Sequence, residues 1–194
     1  MLLVAVAIVL WTTYAPDSSP GPASATVPSG PPWRYGASNA RFTIELYADF
    51  ECPYCRQFVP GFLRWVDRQQ NVAVEWRHLP LSIHDPVATD QAVIAECAGR
   101  RGGQAAFWAA VRTLYQRGPN QSSTARPYAD LSSCFTNEGV RTAVRADAQA
   151  AAAAGIIGTP ALRMHDTRTG RQLMLYGVVD ESGLLSALDA VSAR

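Results

Sequence analysis

Residues 41–55 read RFTIELYADFECPYC, and the fold turns on how that stretch divides. Arg41 to Phe50 is rich in β-branched and aromatic residues, the composition of a buried strand. From Pro53 to about Asp67 (PYCRQFVPGFLRWVD) the apolar residues Phe58, Phe62, Leu63, Trp65 and Val66 suggest a helix packed on a sheet and kinked at Pro60. Cys52 and Cys55 therefore stand where a strand hands over to a helix. Val72 to His78 (VAVEWRH) alternates and then meets Pro80, a second strand, so the segment forms a β-α-β unit whose default is a parallel, right-handed crossover.

That placement suits thiol chemistry. A Cys at a helix N-terminus feels unpaired backbone N–H groups and the positive end of the helix dipole, so its thiolate is favoured, and the thiolate is the species that attacks disulfides. A second thiol three positions on lies on the same face, within reach of the first once a mixed disulfide has formed. Cys52 is thus expected to attack and Cys55 to resolve, and Pro53 loses nothing at the first helical position. The competing reading of an isolated C-x-x-C is half of a zinc site.

The 194 residues, 48% hydrophobic, make one globular domain with a terminal appendage. Seventeen basic against 16 acidic residues give a net charge of +1, which supplies no general attraction to nucleic acid or to an anionic membrane surface. Every basic residue is Arg, which reads as composition bias rather than function. Residues 1–15 (MLLVAVAIVLWTTYA) are uncharged and apolar through Trp11, a signal or membrane-anchor segment, and residues 16–35 are a Pro/Ser/Gly-rich linker. The apolar run is shorter than the ~20 residues that span a bilayer and lacks a positive n-region, while Ala23-Ser24-Ala25 resembles a cleavage site. Export is expected; a cleaved leader and a retained anchor both stay open.

Four cysteines in an exported chain are expected to pair. Cys52 pairs naturally with Cys55, which leaves Cys97 and Cys134; a bridge between those would close a loop of about 37 residues worth ~4 kcal/mol, as a structural staple. The alternative, all four around one metal, needs two distant single cysteines to converge on the motif. Elsewhere, Asp85-Pro86 opens a helix through about Ala98, a second runs from Gly103 to Gln116, and a short turn bears Cys134. Asn137 caps an Ala-rich helix that stops at Gly155, so about 81–155 is a helical block. Residues 160–164 and 172–178 read as an antiparallel hairpin, and Asp180 caps a terminal helix.

A β-α-β half with C-x-x-C at its helix, a helical insert and a β-β-α half is the element order of the DsbA-like branch of the thioredoxin superfamily. Tyr47 to Cys55 resembles the active-site segment of that branch, and Arg77 to Leu81 the strand end that follows. With the neighbourhoods of Cys97 and Cys134 and with Gly158-Thr159-Pro160, the resemblance covers residues 36–194. It implies an α/β thioredoxin fold around a central mixed sheet, with the helical insertion at about 81–155. It also implies that Pro160 is cis and lies against the Cys52–Cys55 disulfide, making Thr159 and Pro160, with Pro53 and Tyr54, the substrate-binding surface. One departure is Leu46, where many relatives carry a buried acid; Glu45 should face the other way by strand alternation, and no carboxylate is assigned to Cys55. His78 is read as structural, and His84 and His165 have no evident partners.

The function implied is an extracytoplasmic thiol:disulfide oxidoreductase acting on exported proteins, in the periplasm or at the outer face of the cytoplasmic membrane. It would be a monomer, with no cofactor beyond its redox-active disulfide, no metal, and a membrane or soluble partner that resets it. Pro53-Tyr54 with Thr159 also resembles the DsbG type, which makes a disulfide isomerase or reductase the alternative, although residues before the domain are too few and too polar for a dimerisation domain. A non-enzymatic module that binds metal or unfolded peptide is the rival from another class.

Overall fold

The computed structural model describes residues 30–117 and 131–193. The apolar segment 1–15, Ala23-Ser24-Ala25 and the linker through residue 29 lie outside the described residues, as do residues 118–130. Five strands, β1 (Arg34–Gly36), β2 (Phe42–Ala48), β3 (Val72–His78), β4 (Ala161–Asp166) and β5 (Gln172–Tyr176), form one mixed sheet in the order β1-β3-β2-β4-β5. The β2–β3 pair is parallel and the other three are antiparallel. Helices α1 (Pro53–Asp67), α2 (Val87–Gln116), α3 (Ser132–Phe135), α4 (Glu138–Ala153) and α5 (Glu181–Ser192) complete the expected order of a β-α-β half, a helical block and a β-β-α half.

Alternation along β2 builds the core. Ile44 stands beside Val74 and Met164, and Leu46 beside Trp76 and Leu162, all buried. Each such side chain contributes ~2 kcal/mol by leaving water. Glu45, on the opposite face, is held by Arg77 and Arg163. Helix α1 presses Phe58, Val59, Phe62, Leu63, Trp65 and Val66 onto the sheet and continues through Pro60.

Two boundaries differ from expectation. The linker was expected to reach residue 35, yet Trp33 is 2% exposed, stacks on Phe107 with ring centroids 4.8 Å apart and donates its indole N–H to Glu96. Arg34 to Gly36 then pairs with β3 as an edge strand. A flanking run of prolines masked a large aromatic anchor. The two expected helices of the insert are both present as the arms of α2, separated at Gly102 and Gly103, whose backbones are non-helical. Pro86 takes the N-cap position of α2 after a cis peptide bond, so the helix starts one residue late; Asp85 Oδ1 still accepts the Thr89 amide.

Caps close the remaining elements as their residue types demand. Asn137 Oδ1 accepts the Gly139 amide and Asp180 Oδ1 the Gly183 amide, each at 2.8 Å. Helix α4 ends with Gly155 at φ +74°, and the Gly155 and Ile156 amides bond to the carbonyls of Ala152 and Ala151. No helix among the described residues is long and apolar enough to cross a membrane.

Candidate active site

Strand β2 delivers the site. After Ala48 the chain turns through Asp49, Phe50 and Glu51, and Cys52 occupies the N-cap of α1 in an extended conformation, with Pro53 at the first helical position. The Asp49 carboxylate fixes this turn: Oδ1 accepts the Glu51 amide at 2.8 Å and Oδ2 the Leu81 amide at 2.9 Å. Phe50 packs on Trp76 and Tyr115 behind it.

Cys52 and Cys55 are both buried, free thiols. Their acidities diverge. A hydrogen bond from the Cys55 thiol is the largest of the influences that bring Cys52 from the ordinary 9.0 down to about 5. Burial opposes it, while the Thr159 hydroxyl and the amides of Cys55 and Tyr54 at the helix N-terminus add to it. Cys55 moves the other way, because burial and then the hydrogen bond to Cys52 push its thiol up. One sulfur is therefore a ready thiolate at neutral pH and its neighbour a retained thiol.

Thr159 and Pro160 come to the same place from the far end of the chain. Their peptide bond is cis, and Cys52 as a thiol donates to the Thr159 carbonyl at 3.3 Å. The Thr159 hydroxyl is buried and makes no hydrogen bond of ordinary geometry among the described residues; it faces both sulfurs, where it favours their ionised forms. Tyr54, inside the motif, is 62% exposed, and Ile157, two residues before Thr159, and Ile83, one residue before His84, are each 84% exposed. Ile83 and Ile157 were not singled out in the sequence, where exposed isoleucines cannot be told from core ones.

Two polar groups close the site from behind. Glu51 accepts from Arg56 at 2.9 Å and from Gln91 at 2.6 Å. Arg56 also donates to the Arg117 carbonyl at the end of α2. His84, for which the sequence offered no partner, lies with Nδ1 2.6 Å from Asp49 Oδ2. The pairing joins residues 35 apart in sequence, which only the turn after β3 brings together.

Cys97 and Cys134 form a disulfide that ties α2 to α3, with Cα atoms 5.8 Å apart. His78 lies in the aromatic core, its Nδ1 accepting from the Trp76 indole at 3.0 Å. Among the described residues, no group of three or more His, Cys, Asp or Glu side chains converges as a metal site requires.

A buried dithiol with divergent acidities, at a helix N-terminus and against a cis-proline, defines a thiol:disulfide oxidoreductase site. The Thioredoxin family model matches residues 29–177. The chain is 39% identical to Pseudomonas aeruginosa DsbA2, whose crystal structure superposes with a TM-score of 0.77 over 83% of this chain and 94% of that one. A periplasmic thioredoxin-like protein from Salmonella enterica serovar Typhimurium, 24% identical, shares the fold with a TM-score of 0.67 over 86% of this chain and 91% of that one. The chain therefore belongs to the thioredoxin family, in its DsbA-like branch. It also matches a Na(+)/H(+) antiporter, NhaA 1 of Salinispora arenicola, at 42% identity over 73 residues, which is 38% of this chain and only 11% of the antiporter.

Proposed function

We propose that the protein exchanges disulfides with exported proteins outside the cytoplasm, Cys52 acting as nucleophile and Cys55 as resolving thiol. The divergence of the two sulfurs carries this reading. In the oxidising direction a substrate thiolate attacks Cys52 of the Cys52–Cys55 disulfide, Cys55 leaves, and a second substrate thiolate then displaces Cys52. Pro53 and Tyr54 on one side and Thr159 and Pro160 on the other hold the substrate chain, and exposed Tyr54 gives that surface an apolar rim. Such a rim suits an unfolded segment that exposes apolar residues beside its cysteine.

The Cys97–Cys134 disulfide, read as a structural staple, supports an oxidising compartment, the periplasm or the outer face of the membrane. Residues 1–15 would direct or anchor the chain there, residues 16–32 would tether it, and the domain would extend from Trp33. Likeness to part of an antiporter supports a site of action beside a membrane. The protein would act as a monomer with no cofactor but its own disulfide, and a membrane or soluble thiol partner would reset it.

The test is insulin reduction by dithiothreitol together with metal content. Wild type should accelerate the reaction and Cys52→Ser should not. Equal inactivity of the two, or about one zinc per chain bound through Cys52 and Cys55, would sink the reading.

A further inference from the structure

This inference rests on Cys52 and Cys55 exchanging disulfides. When Cys55 resolves a mixed disulfide, a Cys55–Cys52 S–S bond forms, the Cys52–substrate S–S bond breaks, and the substrate leaves as a thiolate. The Cys55 proton must pass to a base. Cys55 is 0% exposed, so the base has to be built into the protein.

Most carboxylates near β2 are engaged elsewhere. Glu45 bonds Arg77, Arg163 and the Tyr47 hydroxyl on the opposite face of the sheet, and Leu46 fills the core-facing place beside it. Glu51 is neutralised by Arg56. Asp49 differs, because it is tied to both the sulfur and the surface. Its main chain lies against the Cys55 sulfur, and its carbonyl accepts the Tyr115 hydroxyl at 3.3 Å. Its carboxylate, wholly buried, holds His84 Nδ1 at 2.6 Å, and the His84 side chain is 22% exposed. Tyr115 is raised by burial first and then by the charges of Cys55 and Asp49, so both groups surround one buried phenol.

We propose that His84, oriented by Asp49, takes the proton that Cys55 loses on resolving the mixed disulfide and returns it to solvent. Asp49 is the positioning residue: it fixes the ring through Nδ1, leaves Nε2 to exchange the proton, and faces the positive charge that forms. Around the Tyr115 phenol, which donates to the Asp49 carbonyl, stand Cys52 and Cys55 from the start of α1 and Arg56, itself paired with Glu51, and Asp85 follows His84 in the chain.

Stopped-flow kinetics test this. The protein is mixed with a chromogenic aromatic disulfide; the first chromophore released reports attack by Cys52 and the second reports resolution by Cys55. Rates are recorded from about pH 5 to pH 9, the range in which imidazole exchanges its proton. His84→Gln should slow the second release at neutral pH by on the order of 10-fold or more, while leaving the first unchanged. Asp49→Asn should also slow the second release, and if it fails to fold, His84→Gln stands alone because that side chain reaches the surface. Superimposable second-phase profiles for wild type and His84→Gln would overturn the proposal. So would equal slowing of both phases, the mark of a purely structural role. A wild type that releases no chromophore at all would instead overturn the oxidoreductase reading beneath it.

Discussion

Cys52 and Cys55 are the same residue type three positions apart, yet one is driven to about 5 and the other upward. Hydrogen bonds from Cys55, from Thr159 and from the first-turn amides all converge on Cys52, whereas Cys55 has burial against it. Alkylation of the reduced protein by iodoacetamide should therefore modify Cys52 alone, with a half-maximal rate near pH 5 in a titration read by mass spectrometry. Because this value lies below the unfolded 9.0, the thiolate stabilises the reduced, folded form fully above pH 9, and that contribution is lost as pH falls through 5. A stabilised reduced form makes the disulfide an oxidant, so a glutathione titration should place its potential between about −270 mV, the thioredoxin value, and about −120 mV, the DsbA value. Thr159→Val, which removes a hydroxyl facing both sulfurs, should move the alkylation midpoint upward.

Two glycines separate conformational from steric demand at the level of elements. Gly155 ends α4 at φ +74° with open space where a side chain would go. Gly155→Ala should therefore cost ~1–2 kcal/mol by backbone strain alone, seen as a lower urea midpoint with an unchanged slope. Gly99 in α2 has helical backbone, but an added Cβ would lie 2.6 Å from the Trp33 ring. That ring is held between Phe107 and Glu96, so Gly99→Ala should cost on the order of 1–3 kcal/mol by overpacking and loosen the edge strand β1 that follows Trp33. Hydrogen exchange of the β1–β3 amides would register the second effect and not the first.

Across the molecule, a disulfide ties the insert together and a buried polar cluster joins it to the sheet. Replacing Cys97 and Cys134 together by Ser opens a loop with a sequence separation of 37 and should cost ~4 kcal/mol in urea unfolding, with Cys52 alkylation unchanged. Glu96 lies beside that bridge. Burial alone would raise its carboxyl, but the His78 imidazole 3.7 Å away and hydrogen bonds from Trp33 and Arg100 bring it below the ordinary 4.5. Its stabilisation is thus present above pH 4.5 and lost as pH falls beneath it. Urea midpoints measured downward from pH 6 should drop, and in Glu96→Gln they should drop less steeply over the same range.

The local rules of the chain sufficed for much of this. Alternation in β2 and β3, apolar spacing in α1, and Asn137, Gly155 and Asp180 at helix ends each depend on neighbours within one or two turns, so they were legible from residue type and spacing. The C-x-x-C at the strand-to-helix junction was legible for the same reason. What residue order could not decide depends on contacts between distant segments. Trp33 anchors a strand only because Phe107 and Glu96 lie across from it, and His84 finds Asp49 only because the turn after β3 folds back on the turn after β2. The acidity of Cys52 is of the same kind: a shared motif offers two equal thiols, and Thr159, delivered by the sheet from more than one hundred residues away at a separation of 107, together with unequal burial, makes them different. Short-range sterics and periodicity are written in the chain itself, whereas desolvation and long-range hydrogen bonding come into being only when the tertiary structure excludes water.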